Sequence, residues 1–175
     1  TVNSYQDDEY PSLSADELRL VFVRRGRGGP HYFMECRRNS RDEPFGEAVR
    51  INGPNGEDTC LSADGLQLYY ATNNGDRKFD LRFRVRSTRE SPWSNPQAFD
   101  TQINTDQDDR QPWISPDFLT LTYSSAKPGG FGERDIWICR RRSISDTWGT
   151  PVNAGNAVNG STAEGDSRYL SDGRT

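Results

Sequence analysis

The sequence predicts an all-β chain: about three complete four-stranded blades of a β-propeller, with partial blades at both ends. Three observations carry this. A block of features recurs with a period near 50 residues, the interval of a four-stranded propeller blade. Apolar and polar residues alternate in short runs, the period of a strand, and no helical stripe is long enough to register. Only 31% of the 175 residues are hydrophobic, yet 4 Trp, 7 Tyr and 8 Phe are spread along the chain. That balance suits small aromatic cores between turns rather than disorder.

The repeats align feature by feature. Each opens on a Ser-x-Asp turn: Ser14-Ala15-Asp16, Ser62-Ala63-Asp64-Gly65 and Ser115-Pro116-Asp117, with a fourth at Ser171-Asp172-Gly173. The turn aspartates are 48, 53 and 55 residues apart, and an aromatic anchor follows at 29, 29 and 31 residues as Phe45, Trp93 and Trp148. The Asp side chain caps the backbone just ahead of it, and Gly accepts the positive φ of such a turn. A second strand follows each turn, as in Leu18-Arg19-Leu20-Val21-Phe22-Val23. A third follows a Gly cluster, opening at His31, Asp80 or Asp135. Leu81-Phe83-Val85 alternates there with Arg82-Arg84-Arg86, and Ile136-Ile138 with Trp137-Cys139. A short outer strand lies around 44–51, 96–99 and 151–153, where proline is tolerated at an edge. The boundaries expected are a tail of a preceding blade at 1–9, blades at 10–56, 57–108 and 109–165, and the start of another at 166–175.

Two to five further repeats would close such a ring, so the chain is expected to be a piece of a longer propeller. No run of 18 apolar residues exists, no basic-then-apolar leader is visible before the first repeat, with Thr1 in place of an initiator Met leaving a processed or missing start open, and the net charge of −4 with pI near 5.1 argues against a general nucleic-acid binder.

These repeats resemble the WD-repeat-like propeller family typified by the periplasmic TolB propeller. The third repeat carries the likeness best, through Ser115-Pro116-Asp117, Gly129-Gly130, Asp135-Ile136-Trp137-Ile138 and Trp148-Gly149-Thr150-Pro151. Phe118 and Glu17 stand where that family has Gly, His31 stands near its strand aspartate, and Phe45 replaces its Trp. The resemblance implies a bacterial, extracytoplasmic scaffold, periplasmic or secreted. It implies no single function, because the family serves many proteins.

Candidate chemistry is sparse. His31 is the only histidine, so a His-based triad or zinc site lacks partners and a structural role is expected. Cys36, Cys60 and Cys139 have no metal-ligand spacing and read as reduced, buried residues. Arg27-Gly28-Gly29 and Gly129-Gly130 lack the lysine and helix of a phosphate loop and read as hairpin turns. The paired acids are the most informative feature: Asp8, Asp58, Asp109 and Glu164 precede the turns and would place an acidic group once per blade near the central channel. Such a set could take a basic peptide or Ca²⁺, or simply cap loops. No cofactor is required. Arginines 24, 25, 27, 37, 38 and 140–142, with the Arg82-Arg84-Arg86 side of the third strand, read as an outward basic face, solvated or salt-bridged between blades. The function expected is a non-catalytic module that binds a protein or peptide with its channel-face loops, the remaining blades being its other partners. The alternative is the propeller of a hydrolase, a kinase-linked protein or a sialidase-like glycosidase.

Overall fold

The structure, a computed structural model, describes residues 2, 4–26, 31–53, 56–73, 75 and 78–167. Asp172 and Gly173 of the fourth turn, and Arg27-Gly28-Gly29, lie outside the described residues. Strands β1 (Asp7–Leu13), β2 (Arg19–Arg25), β3 (His31–Arg37) and β4 (Val49–Arg50) form one antiparallel sheet in that order. Strands β5 (Glu57–Leu61), β6 (Gln67–Asn73), β7 (Phe79–Val85) and β8 (Gln97–Ala98) form the second. Strands β9 (Asp109–Ile114), β10 (Thr120–Ser125), β11 (Asp135–Arg140) and β12 (Val152–Asn153) form the third. The innermost strands stand side by side, β1 against β5 and β5 against β9, so the sheets radiate as propeller blades. The first blade begins at Asp7, inside the stretch expected to be an earlier blade's tail, because residues 7–9 go on pairing with 23–25 beyond an irregularity at Tyr10.

The three turns share one hydrogen-bond set. The serine Oγ donates to the aspartate (Ser14–Asp16 2.6 Å, Ser62–Asp64 2.6 Å, Ser115–Asp117 2.5 Å). The same carboxylate accepts the N–H of Leu18, Leu66 or Leu119. The residue after the aspartate has positive φ: Glu17 62°, Gly65 74° and Phe118 64°. Two blades thus hold a left-handed residue without glycine, at a cost of about 1 kcal/mol each. At Asp16 burial opposes ionisation, but the Ser14 hydroxyl, the Arg89 guanidinium and the Leu18 N–H together hold the carboxyl at about 2.

An arginine locks each turn to its anchor. Arg38, Arg86 and Arg141 donate Nε to the carbonyls of Glu17, Gly65 and Phe118, at 2.8, 3.0 and 2.8 Å. Each guanidinium also stacks on the anchor ring seven residues later, 4.6 Å from Phe45, 4.1 Å from Trp93 and 4.4 Å from Trp148. These arginines therefore brace the blade ends; they do not form a solvated face. Arg84 and Arg86 are buried between the first two blades, against the expected outward basic face. Arg86 reaches Glu35 of the first blade with both terminal nitrogens, at 3.0 and 2.8 Å.

The cores lie between blades. Val21, Val23 and Phe33 meet Leu61, Leu68 and Tyr70 between the first two, with Phe33 edge-on to Tyr70 at 4.8 Å. Tyr69, Leu81 and Phe99 meet Leu121, Tyr123 and Trp137 between the second and third. Cys36, Cys60 and Cys139 are free and buried. Asp135 closes the Gly129-Gly130 loop by accepting the N–H groups of Phe131 (2.6 Å) and Gly132 (3.1 Å), and a Cβ on Gly130 would lie 2.4 Å from its Oδ2. Asp80, its counterpart, lies 3.7 Å from Arg82. Asn104 and Asn159 each bond the backbone N–H and C=O of the adjoining third strand, at Leu81 and Ile136, as a strand would.

Replacing Arg86 with Met leaves Glu35 facing a buried gap, so the unfolding free energy should fall by about 3 kcal/mol. Arg38→Met, whose pairs are more exposed, should cost about 1 kcal/mol. Denaturant titration of both variants checks the ranking.

Candidate functional site

The innermost strands share a distortion. Pairing slips by a residue between Glu9 and Ser12, between Glu57 and Cys60, and opposite 122–124 in the third blade. The residue at each slip, four before the turn serine, has positive φ: Tyr10 52°, Asp58 56° and Gln111 53°. None is glycine, so each costs of the order of 1–3 kcal/mol and is held by its surroundings. Asp166, past the third blade, has φ 53°. A bulge re-aims a side chain out of the pleat. All four of these residues line one cavity of about 550 Å³ where the inner strands converge. Trp113, Leu13, Leu20 and Leu61 supply its apolar walls.

Neighbouring blades are tied together around this cavity. The Thr59 hydroxyl donates to the Tyr10 carbonyl, and the Leu61 N–H donates to Ser12 Oγ at 2.8 Å. The Gln111 N–H donates to Asp58 Oδ2 at 3.3 Å. Asp58 is only 7% exposed. Burial pushes its carboxyl up to about 6, aided by the charges of Glu57 and Asp166 and opposed by Arg110 and the Gln111 N–H. Burial, then the charge of Asp58, likewise raises the Tyr10 phenol.

Beside the cavity an ion-pair chain crosses all three blades. Glu9 pairs with Arg25 (2.9 Å), Arg25 with Glu57 (3.4 Å), Glu57 with Arg110 (3.6 Å), Arg110 with Asp108 (2.8 Å) and Asp108 with Arg134 (3.0 Å). His31 Nδ1 joins it 3.2 Å from Glu57, which gives the lone histidine a place between blades.

The four acids expected to form one ring do not occupy equivalent positions. Asp8 and Asp109 lie six residues before their turn serines, Asp58 four. Asp8 turns into its own blade, bonding Arg24 Nε at 2.7 Å and the Ser4 N–H at 3.1 Å. Asp109 is fully buried and accepts the Thr105 N–H (2.7 Å) and the Ser125 hydroxyl (2.5 Å). Burial raises its carboxyl against those donors. The second blade has Gly56 at that position, because a Cβ there would lie 2.3 Å from the Ala71 carbonyl. Glu164 accepts from Thr162 at 3.3 Å. Only Asp58 of the four opens on the cavity. Tyr10 and Gln111 were missed as site residues, and of the acidic pair Glu164 and Asp166 it is Asp166 that lines the cavity. The spacing that Tyr10 and Gln111 share with Asp58, four residues before the turn serine, was readable, but the residue types Tyr and Gln give no sign of positive φ. Among the described residues no group of three or more His, Cys, Asp or Glu is placed to hold a metal ion.

No family model matches this chain, and no curated protein matches it. Solved propellers do. TolB from Acinetobacter baumannii superposes with a TM-score of 0.56 at 13% identity, covering 87% of this chain and 34% of that one. A putative TolB from Agrobacterium tumefaciens gives 0.42 at 12% identity over 81% and 61%. The periplasmic gluconolactonase PpgL of Pseudomonas aeruginosa gives 0.49 at 15% over 95% and 63%. The chain thus has the TolB-like propeller fold and spans about a third of the Acinetobacter protein's length.

A carboxyl held near 6 binds its proton more tightly folded than unfolded. Asp58 therefore subtracts stability as pH rises from about 4 to 6, and the loss persists above that window. Asp58→Asn should raise stability at pH 7 by about 2 kcal/mol and flatten its fall between pH 4 and 6, read from unfolding midpoints across pH. Asp109→Ala takes the acceptor from the Thr105 N–H, the Thr105 hydroxyl and the buried Ser125 hydroxyl and should cost about 1–3 kcal/mol.

Proposed function

We propose that this chain is part of a non-catalytic β-propeller that binds a protein or peptide segment at its axial mouth. The observation that carries the reading is the cavity of about 550 Å³ lined by three residues of positive φ from successive inner strands and by Asp166, also of positive φ, past the third blade. Its size and its mix of apolar wall and a few polar groups suit a bound side chain or short segment. Bound-state contacts would offset the cost of four left-handed residues only where they serve recognition. The resemblance to TolB-like propellers supports an extracytoplasmic location.

One observation favours a second reading. Asp58 near pH 6 and Asp166 share one cavity, which suits acid–base work by a hydrolase. Turnover of aryl glycosides or peptide anilides that disappears in Asp58→Asn would establish it.

Random dodecapeptides displayed against the intact chain test the binding reading. Leu13 lies on the cavity rim and is 45% exposed, so Leu13→Trp should narrow the mouth without disturbing the core. Selected peptides should bind this variant at least tenfold more weakly at an unchanged unfolding midpoint. Recovery of no binding peptide, or full affinity for Leu13→Trp, overturns the reading.

A further inference from the structure

We propose that the axial mouth recognises a cationic side chain, an arginine presented by the partner, between Asp58, Gln111 and Asp166. The inference rests on the binding reading and names the chemistry of the partner.

The cavity offers hydrogen-bond acceptors in want of donors. Asp58 is more than nine-tenths buried, and among the described residues one hydrogen-bond donor reaches it, the Gln111 backbone N–H at 3.3 Å on Oδ2. Gln111 Oε1, packed against Gly165, is buried and has no hydrogen-bond donor among the described residues. Asp166 adds a second carboxylate to the same lining. A buried acceptor left unmatched costs about 1–3 kcal/mol, so a donor-bearing ligand recovers what the empty site forgoes.

Charge points the same way. The charged groups that act on Asp58 and its neighbour Tyr10 are Glu9, Glu57, Asp166, Arg25 and Arg110. Both arginines are already spent on Glu9, Glu57 and Asp108. Asp58 and Asp166 therefore give the cavity an acidic lining, which favours a cationic donor over a neutral one and opposes an anion.

The walls select among cations. Ca²⁺ takes 6–8 oxygens, and two carboxylates with one amide oxygen fall short of that. A guanidinium is planar, carries five N–H donors and stacks on aromatic faces. Trp113 and Tyr10 both line the cavity, which puts aromatic rings beside the acceptors. An ammonium has three donors and is more strongly hydrated, so it gives up more on entering.

N-acetyl-argininamide is the probe, because its only charge is the guanidinium. Titrated into the intact chain and followed by the Trp113 indole resonance, it should bind at least tenfold more tightly than N-acetyl-citrullinamide, the worth of one charge-assisted hydrogen bond. N-acetyl-lysinamide should bind several-fold more weakly. Affinity should fall about tenfold between pH 7.5 and pH 5 as Asp58 takes up its proton, and Asp58→Asn should both weaken binding at pH 7.5 and abolish that dependence. Equal binding of the citrulline probe, or lysinamide as tight as argininamide, overturns the assignment. So does a shift confined to resonances away from Trp113. If display-selected peptides engage the mouth while argininamide does not, the binding reading stands and this inference falls. If no peptide engages it, both fall.

Discussion

Each sheet has two faces to bury and only four short strands with which to do it. Val21 and Val23 look to one neighbour and Phe22 to the other side of the same strand. No blade has an interior of its own, so the apolar surface of each becomes core only when the next sheet lies against it. With so few aliphatic residues, aromatic rings carry much of this contact, as in the group formed by Tyr69, Phe83 and Phe99. Everything else follows from keeping the sheets in register: the capped turns, the arginine braces at the blade ends, and the polar ties between inner strands.

Those ties change character along the blade. At the turn end the link between blades is Glu35 with Arg86, shielded and close. At the opposite end it is a run of acids and bases in which Glu57 serves Arg25, Arg110 and His31 together. A shared carboxylate of this kind fixes the relative position of three blades at once. The cavity sits beside that run, so its shape is set by electrostatic contacts as well as by packing.

The fold was legible because its signals are local. Asp16, Asp64 and Asp117 need a particular turn, and Phe45, Trp93 and Trp148 recur at a fixed distance from it. Phe118 and Glu17 looked like departures from the turn rule, yet both adopt the left-handed conformation that glycine takes at Gly65. The site was less legible, for two physical reasons. Tyr10, Asp58 and Gln111 share a backbone conformation and not a side-chain type, so composition hides them. The acids Asp8, Asp58 and Asp109 share a side-chain type but not a register, and a two-residue offset across a bulge sends them to different surroundings. Arg84 and Arg86 misled for a related reason: alternation along a strand marks two faces, but in a propeller both faces are inside.

The side chains of Asn104 and Asn159 extend the ladder beyond outer strands that are only two residues long. A carboxamide presents one donor and one acceptor, as a peptide group does, but it cannot pass the pattern on to another chain. In the second and third blades the third strand is thereby satisfied at its rim by a group that ends the sheet. The outer edge of those blades therefore offers no continuous template on which a strand of another copy could pair.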